Sequence, residues 1–449
     1  MINKLKYVLN QFEIDGAIAF TIIGRLVQAG GGVLSIVFIA KFLSPVEQGY
    51  YYTFASILAI QVFFELGLSG IITQYTAYEF AHLKWGKKFE LIGEENYRSR
   101  LSSLLRLCVK WFGIISVVLF FILLIVGIYF FSRYNALSNV EWQKPWIILC
   151  LATSMNLFID PILAFFDGLG EIKDMAKVRL VQKSLNVILL FIFFSLGFKL
   201  YSNALASVVS IFFNYIQVIF TKKRFSLLKT IWFSNGKWVI NYYEEIFPYQ
   251  WRIALSWISG YFIFQLFNPI LFATEGAVVA GQMGMTLQAL NGVSSISMSW
   301  ISTKVPTFSN FIAKKDYISL DNTFNNALSG LLKVNITLLL IFNLGVFFLK
   351  WQHLMFADRF LPLLPTVILS GICFINQLVF SWATYLRCHK SEPFLLQSIV
   401  FAVLISLSTI LFGRQYGVMG IVYGYGFLTV FVSLIWSYFL FTTKKKLWH

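Results

Sequence analysis

The chain is 449 residues long, 58% hydrophobic and only 12% charged, where ordinary globular proteins are roughly a quarter charged. So little charge cannot cover a soluble surface, and so many apolar side chains, 48 of them Phe, exclude a disordered chain. The net charge of +16 would point to nucleic acid in a soluble protein, but here the basic residues cluster between apolar stretches. They are therefore expected to orient the chain in a lipid bilayer, with no nucleic-acid partner.

Residues 1–16 are polar and mixed in charge (Lys4, Lys6, Glu13, Asp15). They read as a cytoplasmic segment and not as a signal peptide. The apolar stretch after them is longer than a secretory core, and no small-residue cleavage site closes it. A membrane helix needs about 20 apolar residues to cross a core about 30 Å thick. Twelve stretches qualify: 17–42, 49–78, 104–131, 146–168, 178–197, 203–220, 248–270, 278–305, 329–350, 362–385, 394–412 and 417–441. The predicted fold is an all-α integral membrane protein of about twelve transmembrane helices. With the N-terminus inside, the outer loops carry Arg133, Lys144, Lys199, Arg359 and Arg414. The inner ones carry many more, among them Lys84, Arg98, Arg100, Lys173, Lys177, Arg224 and Lys444. That asymmetry predicts cytoplasmic termini and an even number of spans.

The layout repeats. The first six stretches close on Thr221-Lys222-Lys223-Arg224 and the last six on Thr443-Lys444-Lys445-Lys446, about half the chain apart. The segment Phe38–Gly49 before the second stretch has a counterpart in Phe267–Gly276 before the eighth. The domain reading is a cytoplasmic segment 1–16, a six-helix bundle 17–222, a cytoplasmic linker 223–245, a second six-helix bundle 246–442 and a tail 443–449. Six spans per half insert both halves the same way up. The expectation is two pseudo-symmetric bundles around a central cleft, the geometry of parallel-repeat transporters.

The stretch from Gly24-Arg25-Leu26-Val27-Gln28-Ala29-Gly30-Gly31-Gly32 through Ala40-Lys41-Phe42-Leu43-Ser44-Pro45-Val46-Glu47-Gln48-Gly49-Tyr50-Tyr51 resembles the first two spans of bacterial O-antigen and polysaccharide flippases. These belong to the superfamily that also holds the multidrug and toxin extruders and the lipid II flippase. The resemblance implies alternating-access movement of an undecaprenyl-diphosphate-linked oligosaccharide across the inner membrane, in lipopolysaccharide or related polysaccharide biosynthesis. It also implies contact with other polysaccharide-assembly membrane proteins. Composition does not show that substrate.

Ionisable residues inside spans face a cavity or a partner. Arg25 lies roughly 13 Å into the first span by helical rise, and Arg252 lies at a comparable depth in the seventh. Two readings stand for each: a grip on the diphosphate, which Arg binds in a planar, bidentate way, or snorkelling and pairing with a carboxylate such as Glu65. Lys304 precedes Pro306 and is placed at the cytoplasmic mouth of the same substrate path, whereas Lys110 and Lys333 are expected to snorkel. Glu65, Asp160 and Asn156 are candidates for a coupling-ion or charge-relay site, taking Na⁺ or a proton, or else for neutralising the buried arginines. Pro161 directly after Asp160 removes a backbone donor and frees a carbonyl.

Gly30, Gly31 and Gly32 read as a close-packing stripe or as a bend. Tyr50, Tyr51, Tyr52, Trp142 and Trp146 read as interface anchors. The four cysteines and four histidines show neither disulfide nor metal spacing, so no metal and no cofactor beyond a coupling cation is expected. No phosphate-cradling GxxxxGK[ST] loop occurs, so no ATP-driven pump is expected. Translocation makes and breaks no bond, and the protein is expected not to be an enzyme. The alternative function is a cation-coupled multidrug exporter of the same superfamily. A membrane polysaccharide polymerase or ligase fits less well, because the outer loops are too short to carry a catalytic cluster.

Overall fold

The computed structural model describes residues 16–86, 91–134, 140–219, 221–233, 236, 238–354, 356–389 and 391–448. Most of the predicted segment 1–16 therefore lies outside the described residues. The fold is nearly all helix. In chain order the helices are α1 (Gly16–Phe42), α2 (Pro45–Leu58), α3 (Leu68–Phe80), α4 (Glu95–Tyr134), α5 (Gln143–Gly168), α6 (Ile172–Ser195), α7 (Tyr201–Ile219) and the short α8 (Lys222–Trp232). They continue with α9 (Phe247–Phe264), α10 (Phe267–Thr274), α11 (Ala277–Ser302), α12 (Val305–Lys314), α13 (Tyr317–Trp351), α14 (Leu363–Arg387), α15 (Leu395–Leu428) and α16 (Ile435–Trp448). One antiparallel pair, β1 (Leu83–Trp85) and β2 (Leu91–Gly93), sits in the connection before α4.

Among the described residues, eight helices are long and apolar enough to cross a membrane. The last of these runs from Leu395 to Trp448 and is two spans. It breaks at Gly417, whose φ of 56° and ψ of −137° no helix tolerates, and folds back on itself. Gln397 donates to Ser433 O at 2.9 Å and to Ser437 Oγ at 2.6 Å across the hairpin. Glu275 Oε1 accepts from Val418 N at 2.7 Å and caps the returning arm. With α1, α7 and α11, each of the twelve predicted stretches falls on a helical rod. This is a multi-pass integral membrane protein.

The rods form two compact units. Unit 1 takes the chain up to Gly31 together with Ile60–Trp257; unit 2 takes Gly32–Ala59 together with the chain from Ile258. Between α2 and α3 the helix is interrupted at Leu66 and Gly67, both left-handed.

In unit 1, α5 is the central rod and packs against α3, α4 and α7, while α6 packs against α7. Trp142 and Trp146 are buried core residues here and not interface anchors. Trp146 Nε1 donates to Leu123 O at 3.2 Å, and its indole lies where a Cβ on Gly127 would stand. Of Gly30, Gly31 and Gly32 on α1, only Gly31 meets a close neighbour, Val187; Gly30 and Gly32 face open space. An ion cluster fixes the connection into α9. Arg100 Nε lies 2.8 Å from Glu79 Oε1, and its Nη2 lies 2.5 Å from Glu245 Oε2, with Glu79 fully buried. Tyr75 donates to the Glu245 carbonyl. Burial pushes the Glu245 carboxyl up, but hydrogen bonds from Arg100 and Asn241 N outweigh it, and the net shift is downward.

In unit 2, α2 begins on a capping box: Ser44 Oγ accepts from Glu47 N at 3.1 Å, and Glu47 Oε2 accepts from Ser44 N at 2.7 Å, with Pro45 opening the helix. Helix α2 then packs on α11 through small residues. A Cβ on Gly49 would collide with the Ala277 carbonyl, one on Gly281 with the Gly49 backbone and one on Gly284 with the Tyr52 ring. Tyr50 and Tyr52 are buried in unit 2, so they too are core and not anchors. The side chain of Gln48 donates to Gly281 O at 2.8 Å and to Arg359 O at 3.0 Å, and Arg359 Nη2 donates to Leu43 O at 2.6 Å. Helices α12, α13 and α14 close around Phe308, Phe324, Tyr385 and Leu386.

Two outcomes follow. Gly49→Val forces α2 off α11 and lowers the unfolding free energy by about 1–3 kcal/mol, read as a lower melting temperature in detergent; Gly30→Ala, in open space, leaves the melting temperature unchanged or raises it. A carboxyl held below its unfolded value stabilises the fold above the ordinary Glu range and loses that contribution as the pH falls through the lowered value. The melting temperature therefore drops on acidification through that range, and Glu245→Gln flattens that part of the curve.

Candidate functional site

Polar side chains from three apolar helices of unit 1, α5, α6 and α7, converge on one seam. In hydrocarbon an unpaired amide is costly, so amides on neighbouring rods seek each other. Asn156 Nδ2 donates to Asp160 Oδ2 at 2.7 Å, one turn apart on α5. Gln182 Nε2 on α6 donates to Asn156 Oδ1 at 3.2 Å. Asn214 Nδ2 on α7 donates to Gln182 Oε1 at 2.6 Å. The result is a directed chain, Asn214 to Gln182 to Asn156 to Asp160, that ends on a carboxylate. Tyr215 OH closes the same seam on Met155 O at 2.8 Å. Asn214 is buried, and its Oδ1 has no partner among the described residues.

Helix α5 carries a buried proline inside it, Pro161, immediately after Asp160. Its missing N–H leaves the Leu157 carbonyl without its helical donor, close to the carboxylate. The charged groups that act on Asp160 are Glu65, Arg179 and Lys183. Glu65 ends the helical turn Val62–Glu65 just before the left-handed break and accepts from Ser69 Oγ at 3.2 Å. Arg179 Nη2 pairs with Asp167 Oδ2 at 2.7 Å, and Lys183 Nζ donates to Gln28 Oε1 at 2.9 Å. Asp160 thus has one carboxylate, Glu65, and two cations acting on it, and among the described residues no group of three or more His, Cys, Asp or Glu side chains that could hold a metal ion forms.

The structure brings Asn156 and Asp160 into direct contact and sets Glu65 within their electrostatic reach. The cationic candidates stand apart. Arg252, early on α9, is exposed, and its guanidinium carbon lies 5.3 Å from the centroid of the Trp251 ring. Lys304, at the N-terminus of α12 in unit 2, is exposed. Arg25 lies on α1 in unit 1, and its side chain is outside the described residues. Sequence reasoning missed Gln182 and Asn214. The available signal was the type itself, a side-chain amide in each of two consecutive apolar stretches, but nothing in spacing shows which rod an amide faces.

No protein-family model matches the chain, and no curated protein matches it. Solved structures do. The MATE multidrug transporter DinF-BH covers 95% of this chain and 94% of its own at 14% identity, with a TM-score of 0.62. A multidrug resistance MATE family transporter of the MOP superfamily in an inward-facing conformation covers 94% and 99% at 14% identity, with a TM-score of 0.57. The lipid II flippase MurJ, in an inward closed conformation, covers 95% and 87% at 17% identity, with a TM-score of 0.53. At these identities the likeness establishes the fold, the two-lobed twelve-helix arrangement of this transporter class.

Removing the middle of the amide chain tests its weight. Gln182→Leu strands Asn156 and Asn214 and lowers stability by about 1–3 kcal/mol. Adding Asn156→Leu then costs less than it does alone, and a double-mutant cycle on thermal unfolding reads the difference.

Proposed function

We propose that this chain is a flippase of the inner membrane that carries an undecaprenyl-diphosphate-linked oligosaccharide, an O-antigen or related surface polysaccharide repeat unit, by alternating access, with both termini cytoplasmic. The observation that carries the reading is Arg252: a guanidinium exposed early in the apolar rod Gln250–Thr274, with the face of Trp251 beside it. An exposed guanidinium near the end of a span is free to meet an anionic ligand, and a diphosphate offers oxygens in the planar pattern that a guanidinium binds. Arg25 and Lys304 complete the proposed phosphate path. The fold is shared with a lipid II flippase, which supports a lipid-linked substrate. Transport of this kind is not enzymatic.

Coupling is proposed to run through Asp160, with Asn156 and Glu65 beside it, binding Na⁺ or a proton; no other cofactor is proposed. The amide chain behind Asn156 holds its Nδ2 against Asp160 Oδ2. A second reading is a cation-coupled multidrug exporter. It is favoured by the same Asp160 and Glu65 carboxylates, which would suit a cationic drug, and by the shared fold with MATE transporters.

The decisive experiment disrupts the gene and follows lipid-linked repeat units. They accumulate on the cytoplasmic side, and the intact gene restores their export. Arg252→Ala lowers the restored export by about tenfold, the loss of one charge-assisted phosphate contact, and Asp160→Asn removes its dependence on the ion gradient. Normal export in the disrupted strain, with a changed drug-resistance profile, establishes the second reading instead.

A further inference from the structure

A cavity of about 380 Å³ lies wholly inside unit 2, between α2, α10, α11, α14 and the returning half of α15. That is toward the small end of the roughly 300–1,000 Å³ typical of ligand sites. Its wall carries the side-chain amides of Gln265, Asn268, Gln288, Asn291 and Asn376. No charged side chain is among the described residues that line it. Some of these polar groups are spent on the protein: Asn376 Nδ2 donates to Tyr425 OH at 2.9 Å, and Ser294 Oγ and Cys373 Sγ stand 3.1 Å apart. Two are not. Asn268 is 7% exposed, and its Nδ2 donates to Ser56 Oγ at 3.1 Å, while its Oδ1 has no partner among the described residues. Tyr52 is 5% exposed, and its hydroxyl likewise has no partner among them.

Two aromatic pairs complete the cavity. Phe267 and Tyr425 lie with ring centroids 5.1 Å apart in the wall, and Phe264 and Phe380 meet edge to face at 6.2 Å on the exposed rim. An amide presents a donor and an acceptor side by side, the pattern that neighbouring hydroxyls of a sugar ring satisfy in both directions. Aromatic faces cover the apolar side of such a ring. A carboxylate or an ammonium brought into the same space would shed its water and find no opposite charge.

We infer that this cavity receives an uncharged sugar ring carried on a lipid and excludes ionised sugars. The assignment rests on the flippase reading for the lipid-borne source and adds to it a rule of specificity and a place, separate from the cationic residues proposed to meet the diphosphate. Asn268 Oδ1 accepts from one ring hydroxyl, and Tyr52 OH engages another.

The test uses the full chain in nanodiscs and three sugars that differ chiefly in charge: N-acetylglucosamine, glucosamine and glucuronate. Dissociation constants are read by saturation-transfer NMR titration. The neutral sugar binds at least about tenfold more tightly than either charged one, the discrimination expected of a site without a counter-charge. Asn268→Leu and Tyr52→Phe each weaken N-acetylglucosamine by about fivefold or more, and Tyr52→Phe retains the packed ring, so a folding defect in the first variant does not mask the result. Equal binding of all three sugars, no saturation transfer to N-acetylglucosamine, or unchanged affinity in both variants overturns the assignment. Displacement of the free sugar by a monoglucosyl diacylglycerol in the same nanodisc supports the lipid-borne source; its retention overturns that source. Failure here leaves the accumulation of lipid-linked units in the disrupted strain untouched, so the two readings fall separately.

Discussion

Inside a bilayer no water is present to complete a polar group, so every amide and hydroxyl at span depth must be satisfied by the protein itself or by what it carries. The backbone answers by becoming helix almost throughout. The side chains answer by meeting across rods, and the line from Asn214 through Gln182 and Asn156 to Asp160 is the fullest case in unit 1. Its polarity is fixed. Each amide gives its hydrogens toward the carboxylate, so the three helices are registered against one another by a row of dipoles aimed at one negative charge. Any group that neutralises Asp160 acts on the whole row.

The second constraint is steric. Lipid gives helices little hydrophobic reason to associate, so close backbone approach must supply the attraction. Gly49 and Gly281 let α2 and α11 touch main chain to main chain, and Gly284 admits the Tyr52 ring. Gly127 does the same for Trp146 in unit 1, and Gly168 for Thr76. These glycines are helical and unstrained; their value lies in the missing Cβ. Gly417 has the other use of glycine, a backbone conformation that an L-residue rarely adopts.

The twelve rods were legible because hydrocarbon thickness sets a length, and apolar runs of that length are visible in a string of letters. The start of α2 was missed: the predicted stretch began at 49, whereas the capping box of Ser44 and Glu47 starts the helix at Pro45, a polar signal that hydropathy does not register. Facing was not legible either. Trp142, Trp146, Tyr50 and Tyr52 sit near predicted span ends, where aromatic rings often meet headgroups, yet all four point into protein. Hydropathy measures how apolar a position is and gives no direction around the helix axis. The same blindness hid Gln182 and Asn214. It also left Gly30, Gly31 and Gly32 undivided, when only Gly31 meets a close neighbour. Asn156 and Asp160 were found because a spacing of four on one helix is local information, and local information survives in sequence.

The turn at Gly417 joins two membrane-crossing rods with a single residue and no loop. Gly420 lies against the Phe412 carbonyl, Gly424 against Ser408 and Gln397 against Ser437, so the pair is laced from the turn to the far end. Such a hairpin has no slack in it. Neither arm can slide past the other, and a tilt imposed on one is delivered to its twin, so the hairpin Leu395–Trp448 behaves as one stiff lever.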